Sequence, residues 1–253
     1  MRLRLRELAV DFRGPDGSRL PALGPISFEV VTEEFVCVVG PSGCGKSTLI
    51  RALAGLQPPS SGQALCEGEV IDRPMQPFAI MFQDANLMPW RTVLDNIALP
   101  LEIAGISRAE RYETVLNLLP QLHLERFALA YPAELSGGMS QRVALGRVIV
   151  QNPRVWLLDE PFGALDALTR EKLSLELLRL RQRNVQTVIM VTHDISEAVL
   201  LADRVIVMSR RPGRLVADVR VDLPRPRLPD MIFDDKFLQL AKRVRADIES
   251  LGA

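Results

Sequence analysis

Histidine is nearly absent from this chain. Its 253 residues include only His123 and His193, too few for a centre built on several imidazoles. Cysteine is scarce as well. Cys37, Cys44 and Cys66 show no metal-ligand spacing, and an odd count without a secretory context points to reduced thiols. Net charge is missing: 31 Lys and Arg offset 31 Asp and Glu. The chain therefore lacks the positive excess that non-specific nucleic-acid binding requires, and no nucleic-acid partner is expected. No apolar run approaches the roughly 20 residues of a membrane span. The opening Met1-Arg2-Leu3-Arg4-Leu5-Arg6 alternates arginine with apolar residues. It has no apolar core, so it reads as a strand with one solvated face and not as a signal peptide. Internal repeats and low-complexity segments are also lacking. A cytoplasmic protein is expected, with any membrane role running through a partner.

What is present is an apolar fraction of 47% and a charged fraction of 25%. That suits one large domain, or one domain with an insertion. The most informative stretch is Gly40-Pro41-Ser42-Gly43-Cys44-Gly45-Lys46-Ser47, followed by Thr48. It fits the phosphate-cradling pattern G-x-x-x-x-G-K-[ST]. Ahead of it runs apolar Phe35 to Val39, and behind it the helix-like Leu49 to Ala54, the strand–loop–helix setting this motif needs. The glycines let the backbone turn several N–H groups toward one anion, and the following helix aims its positive end there. Lys46 adds a mobile cation for the outer phosphates, and the Ser47 hydroxyl is a ligand for Mg²⁺. The chain is expected to bind a nucleoside triphosphate. Cys44 lies inside this loop near a helix N-terminus, where thiolate is favoured. Alkylation there is expected to block nucleotide binding.

Along the chain, Leu3 to Phe12, Ile26 to Val31 and Phe35 to Val39 read as strands, with Gly14-Pro15-Asp16-Gly17 as a turn. The helix opened by the phosphate loop ends near Gly55. Short strands return from Gln63 to Ile71 and from Ala79 to Phe82. Between about Thr92 and Val150 the pattern is helical, with stripes Val93, Ile97, Leu101 and Val115, Leu118, Leu119, Leu122. Then strands and helices alternate: Val155 to Leu158, the helix Leu168 to Arg183, Val188 to Val191, the helix Ile195 to Ala202, and Val205 to Met208. Such alternation predicts an α/β fold with a parallel sheet covered on both faces. The tail reads as an edge-like strand from Leu215 to Leu223, a proline break and a helix from about Asp235 to Leu251.

Two further motifs carry chemistry. In Val155-Trp156-Leu157-Leu158-Asp159-Glu160, a buried strand ends in two carboxylates, at the strand end where α/β sheets bind ligands. Asp159 suits Mg²⁺, directly or through its water, and Glu160 suits polarising an attacking water; a solvated acidic turn would look the same in isolation. In Leu135-Ser136-Gly137-Gly138-Met139-Ser140-Gln141-Arg142, Ser-Gly-Gly at a helix start is a second anion-binding geometry. It is equally the pattern of a serine N-cap.

Taken together, these motifs closely resemble the nucleotide-binding subunit of ATP-binding-cassette transporters. Met81-Phe82-Gln83-Asp84, Gly163-Ala164-Leu165-Asp166 and Val191-Thr192-His193-Asp194 resemble that family's glutamine, aspartate and switch-histidine loops, in the family's order. The resemblance implies a P-loop NTPase fold with a parallel core sheet, an antiparallel β subdomain and an inserted helical subdomain at about 84–150. The whole would form one domain over 1–253, with a C-terminal strand and helix at 209–253. It implies ATP and Mg²⁺, and a head-to-tail homodimer with two ATP molecules between protomers. There the Lys46 loop of one copy and the Ser136-Gly137-Gly138 turn of the other grip one nucleotide. Ser47, Gln83 and Asp159 would serve the metal, Glu160 would be the general base, and His193 would contact the γ-phosphate. Asp166 would tie one protomer's loop to the other's phosphate loop, or cap the helix after it, or both. Phe12 stands where the family stacks an aromatic on adenine, though a core position would also suit it.

Three departures stand out. Ser140 and Gly146 replace residues common in the family, and a helix glycine costs up to about 1 kcal/mol against alanine, so Gly146 is expected to loosen the signature helix. Thr32-Glu33-Glu34 replaces the usual proline-glycine-glutamate turn. Asn86 to Asn96, Ser209-Arg210-Arg211-Pro212-Gly213-Arg214-Leu215 and Asp222-Leu223-Pro224-Arg225-Pro226-Arg227 resemble the importer subfamily for nitrate, sulfonate, taurine and related small anions. No regulatory domain of the sugar-importer kind is expected. The resemblance implies two membrane permease subunits, fed by an extracytoplasmic solute-binding protein, with this chain at the cytoplasmic face of the membrane. Gln83 to Asn96 would be the permease socket, with Leu87, Met88 and Trp90 exposed; a buried Trp90 is the plain alternative. Two other readings compete. A soluble cassette ATPase acting on nucleic acid or the ribosome would be expected to show long coiled-coil insertions or two cassettes. A non-hydrolysing regulator is opposed by the intact Asp159, Glu160 and His193.

Overall fold

The computed structural model describes residues 2–184 and 186–249; Met1 and the expected helix end at Leu251 lie outside them. The elements in chain order are β1 (Leu3–Arg13), β2 (Arg19–Val30), β3 (Phe35–Val39), α1 (Lys46–Leu53), β4 (Ser61–Cys66), β5 (Glu69–Val70) and β6 (Phe78–Met81). Helices α2 (Val93–Ile103), α3 (Arg108–Leu118) and α4 (Gly137–Ile149) follow. Then come β7 (Val155–Asp159), α5 (Ala167–Asn184), β8 (Thr187–Val191), α6 (Ile195–Leu201), β9 (Arg204–Met208), β10 (Leu215–Arg220) and α7 (Asp235–Glu249).

Strands β3, β7 and β8 bury every residue, and apart from Asp159 at the end of β7 and Thr187 at the start of β8 they are apolar, as suits the middle of a sheet. They lie in a six-stranded sheet of order β10-β9-β3-β8-β7-β6. Five strands are parallel, and β10 runs antiparallel to β9 at the edge. Side chains alternate between the two faces, as the strand period requires. Phe35, Cys37, Val39, Trp156, Leu158, Val188 and Met190 enter the core shared with α2–α7. Val36, Val38, Val155, Leu157, Ile189 and Val191 enter the core shared with α1 and the second sheet.

That second sheet is antiparallel, of order β2-β1-β4-β5. It makes β2 longer than the sequence pattern suggested. The apolar signal begins at Ile26, but pairing with β1 carries the strand back to Arg19, opposite Arg13. The hairpin closes through Gly14–Ser18, with Gly17 at φ 80, in the left-handed region that glycine enters without steric cost.

The segment between β6 and β7 holds three capped helices. Thr92 accepts from Asp95 N to start α2, Ser107 and Glu110 form a capping box for α3, and Ser136 accepts from Met139 N to start α4. Helices α2 and α4 cross at Gly146. A Cβ there would lie 2.9 Å from Leu122 Cδ1 and 3.0 Å from Ile97 Cδ1, and both neighbours are fully buried. The propensity cost expected of this glycine in the signature helix thus stands beside a packing role. Gly146 is the point of close approach between two helices, and its missing side chain permits the packing.

A nucleotide-sized cleft at the phosphate loop

The loop Gly40–Ser47 joins β3 to α1 at the C-terminal edge of the parallel sheet. Gly43 and Gly45 sit at φ 74 and φ 104, so this curl would strain residues with a side chain. A Cβ on Gly45 would lie 2.7 Å from Ala22 O, and one on Gly40 would lie 2.8 Å from Met208 O. Lys46 is buried, and its Nζ donates to Gly40 O at 2.9 Å and to Pro41 O at 3.1 Å. These bonds hold the ammonium across the mouth of its own loop.

A cleft of about 450 Å³ opens over this loop, lined by Phe12, Ala22, Ser42, Gly43, Gly45, Lys46, Ser47, Thr48, Gln83, Glu160 and Arg211. Volume and polarity suit a nucleotide. A more enclosed cavity near α5 and α6, of about 140 Å³, is too small for one. Phe12 is 39% exposed, which removes the core alternative and leaves its ring available to a ligand.

Ser47 Oγ donates to Asp159 Oδ1 at 2.9 Å on the cleft floor. Burial holds the Asp159 carboxyl above the usual carboxylate range, and the Ser47 bond offsets part of that. Two hard oxygens in contact, with the Gln83 side chain on the same cleft, fit a small divalent cation completed by phosphate and water oxygens. Among the described residues, no three of His, Cys, Asp and Glu converge in a separate metal-holding group.

Glu160 follows Asp159 with φ 45, a left-handed conformation that costs a residue with a side chain on the order of 1 kcal/mol or more. It is held there by Glu160 N donating to Val191 O and by Gly163 N donating to Glu160 O. The strained turn brings Glu160 Oε2 to 3.1 Å from His193 Nδ1. His193 does not cap α6, because Asp194 does so by accepting from Glu197 N. The His193 loop is anchored beneath. Buried Glu197 accepts from Thr192 Oγ1 at 2.5 Å and from Ser174 Oγ at 3.0 Å.

Ser136, Gly137 and Gly138 do not line this cleft. They form the exposed start of α4, and the Ser136 hydroxyl caps it. Asp166 Oδ1 accepts from Thr169 N at 3.0 Å, so Asp166 caps α5. Cys44 departs from expectation. It is 1% exposed and turned to the back of the loop, and burial pushes its thiol up, with Lys46 offsetting only part of this. The favoured state is the thiol and the sulfur is buried, which speaks against the alkylation expectation.

Other residues went unrecognised in the sequence. Gln141 Nε2 donates to Gln83 O at 3.0 Å, fastening α4 to the Gln83 loop. Asn96 is fully buried. It donates to Met88 O, Arg91 O and Thr92 O and accepts from Met88 N. Arg147 donates to Ala85 O, Asn86 O and Asn96 O. These bonds fix the segment that carries Trp90, which is 72% exposed. Leu87 and Met88 are half-buried, contrary to their expected exposure, because Leu87 packs on the core.

The family model for ABC transporter matches residues 23–163. A taurine import ATP-binding protein of Rhizobium johnstonii is 43% identical over 88% of this chain and 85% of its own length. A nitrate import ATP-binding protein of Synechocystis sp. is 44% identical over 88% and 84%. A solved dimeric ATP-binding cassette in a post-hydrolysis state with ADP and Pi superposes with a TM-score of 0.77 at 31% identity, covering 88% of this chain and all of its own. With the phosphate loop, the Asp159–Glu160 strand end and the parallel sheet already in place, this chain belongs to the ABC transporter family and has the fold of its ATP-binding cassettes.

Proposed function

We propose that this chain is the ATP-binding and ATP-hydrolysing subunit of an importer, and that it energises uptake of a small anion of the nitrate, sulfonate or taurine kind. The observation that carries this is the convergence of the Lys46 loop, Asp159, Glu160 and Gln83 on one cleft, with His193 bonded to Glu160. Relatives named as nitrate and taurine import proteins support the importer reading. Among the described residues no helix is long and apolar enough to cross a membrane. In this reading partner permeases carry the solute, an extracytoplasmic binding protein delivers it to them, and this chain sits at the cytoplasmic face.

In this reading the loop amides and Lys46 bind the phosphate chain, and Phe12 stacks on adenine. Ser47, Asp159 and Gln83 hold Mg²⁺, which when bound neutralises phosphate charge. Glu160 takes a proton from water as its oxygen attacks the γ-phosphorus. The bond to the ADP oxygen breaks, and ADP and phosphate leave. His193 orients Glu160 through Nδ1 and reaches the γ-phosphate. Residues 84–150 act as the helical subdomain within a single domain that ends in the strand and helix of 209–253.

One protomer leaves the Ser136-Gly137-Gly138 amides off its own cleft. A second copy, packed head to tail, brings them to the nucleotide, and Asp166 braces the junction. The solved post-hydrolysis cassette is a dimer, which supports this arrangement. The test is Glu160→Gln. It should bind Mg-ATP with affinity near wild type, lose about 10²- to 10⁴-fold in turnover and sediment as a dimer only with Mg-ATP. A variant that stays monomeric at saturating Mg-ATP sinks the composite site. Turnover at the wild-type rate moves the base elsewhere.

A further inference from the structure

The segment Ser209–Arg214 has no role in the mechanism above, yet it is built tightly against the phosphate loop. Ser209 N donates to Arg214 O and Arg214 N donates to Ser209 Oγ, closing the turn. Gly213 N donates to Ala22 O, and Gly24 N donates to Gly213 O, locking the turn onto β2. Gly213 touches the loop itself: a Cβ there would lie 2.0 Å from Cys44 O, so only glycine fits this contact. From that frame Arg211 reaches the cleft. Its Nε donates to Pro21 O at 2.8 Å, and no carboxylate among the described residues pairs with it. Pro21 stands opposite Asp11, the neighbour of Phe12. Arg211 is thus held on the β1–β2 side of the cleft, beside the strand that carries Phe12.

Lys46 and Arg211 are the two cations on the cleft wall. They stand at different positions along a bound nucleotide. Lys46 serves the outer phosphates. The Arg211 guanidinium, hooked by Nε, keeps its two terminal amino groups for a second acceptor in the plane of the fork.

We propose that Arg211 is a nucleotide-binding residue that pairs with the adenosine end of the phosphate chain, the part common to ADP and ATP. This rests on the nucleotide occupying the cleft over the Lys46 loop. The bond is charge-assisted but solvent-exposed, so it tightens binding modestly and equally for both nucleotides.

The test is the affinity of Arg211→Gln and Arg211→Ala for ADP and for ATP by calorimetry, beside wild type and Lys46→Ala. Both Arg211 variants should weaken ADP and ATP alike, by about 5- to 20-fold. Their thermal midpoints without nucleotide should match wild type, and their ADP affinity should depend less on salt. Arg211→Lys should fall between, because it keeps the charge but loses the fork. ADP affinity within twofold of wild type in a folded variant overturns the proposal, and so does a loss confined to ATP. Failure of wild type itself to bind, or binding untouched by Lys46→Ala, would instead remove the underlying site assignment.

Discussion

Substituting Gly146 by alanine sets two effects of opposite sign against each other. Helix propensity favours alanine by about 1 kcal/mol. Packing opposes it, because the new Cβ would meet Leu122 Cδ1 at 2.9 Å and Ile97 Cδ1 and Cγ1 at 3.0 and 3.1 Å. Ile97 has no exposure and Leu122 has 1%, so either side chain can yield only by repacking within the core. Overpacking of this kind costs about 1–3 kcal/mol. Packing wins, and Gly146→Ala should destabilise the protein by about 1 kcal/mol, lowering Tm by roughly 2–4 °C for a chain of this size.

Urea titration of four proteins separates the terms: wild type, Gly146→Ala, Ile97→Val and the double variant. Ile97→Val alone should cost about 1 kcal/mol, from lost burial and a small cavity. It also removes the Cδ1 that the new Cβ strikes. The double variant should therefore lose less than the sum of the singles, with a coupling of about 0.5–1 kcal/mol. Strict additivity, or a Gly146→Ala protein more stable than wild type by the full propensity gain, would refute the packing argument.

Asp159→Asn should stabilise the protein when neither Mg²⁺ nor nucleotide is added, while abolishing Mg-dependent turnover. Burial raises the carboxyl's pKa in the folded state. Stability contributed by the protonated form is therefore lost as pH rises from the unfolded value through the folded one. The variant's Tm advantage should be full at neutral pH and vanish in acid, and a flat difference across pH would contradict this. Arg227→Met should cost about 3 kcal/mol, because Nη1 donates to Val199 O, Leu200 O and Ala202 O at the end of α6, and buried carbonyls without donors are expensive. A Tm within 2 °C of wild type, by calorimetry, would show those carbonyls finding other donors. Trp90→Asp should leave ATP binding and basal hydrolysis unchanged but abolish uptake in reconstituted vesicles. Normal uptake would move the permease contact elsewhere.

The chemistry of the cleft was legible because it is local in sequence. A glycine-rich turn between an apolar strand and a helix leaves few meanings. Two carboxylates at the end of Val155–Leu158 show where a buried strand surfaces. The parallel sheet was legible for the same reason, since its central strands carry runs of four or five consecutive apolar residues. What the sequence hid is bonding from side chains to distant backbone. Arg227 caps α6 from 25 to 28 positions away, and Arg147 holds Ala85 O from 62 positions away. A carbonyl has the same identity in every residue, so nothing at Val199 or Ala85 advertises a partner. The Cys44 expectation failed on the same kind of fact. Its side chain lies in the core shared by α1 and the second sheet, which the local pattern of the phosphate loop does not reveal. The subfamily segment Asp222–Arg227 owes its residues to structure: Arg225 pairs with Asp203, and Arg227 finishes a helix.

These distant bonds bear on transport because of what they join. Gln141 ties α4 to the Gln83 backbone, Arg147 ties α4 to Ala85 and Asn86, and Asn96 ties α2 to Met88, Arg91 and Thr92. Helix α4, the Gln83 loop on the cleft and the segment that carries Trp90 are thus cross-linked by one set of mostly part-buried hydrogen bonds. Breaking the bonds of fully buried Asn96 would leave polar groups without partners, so moving the set together costs less than pulling it apart. A displacement of Gln83 would then carry the exposed Trp90 segment with it. Close packing at Gly146 adds to the same rigidity. A helical insert loosened at Gly146 would absorb that displacement inside itself, whereas one packed helix against helix passes it to the surface where a permease would sit.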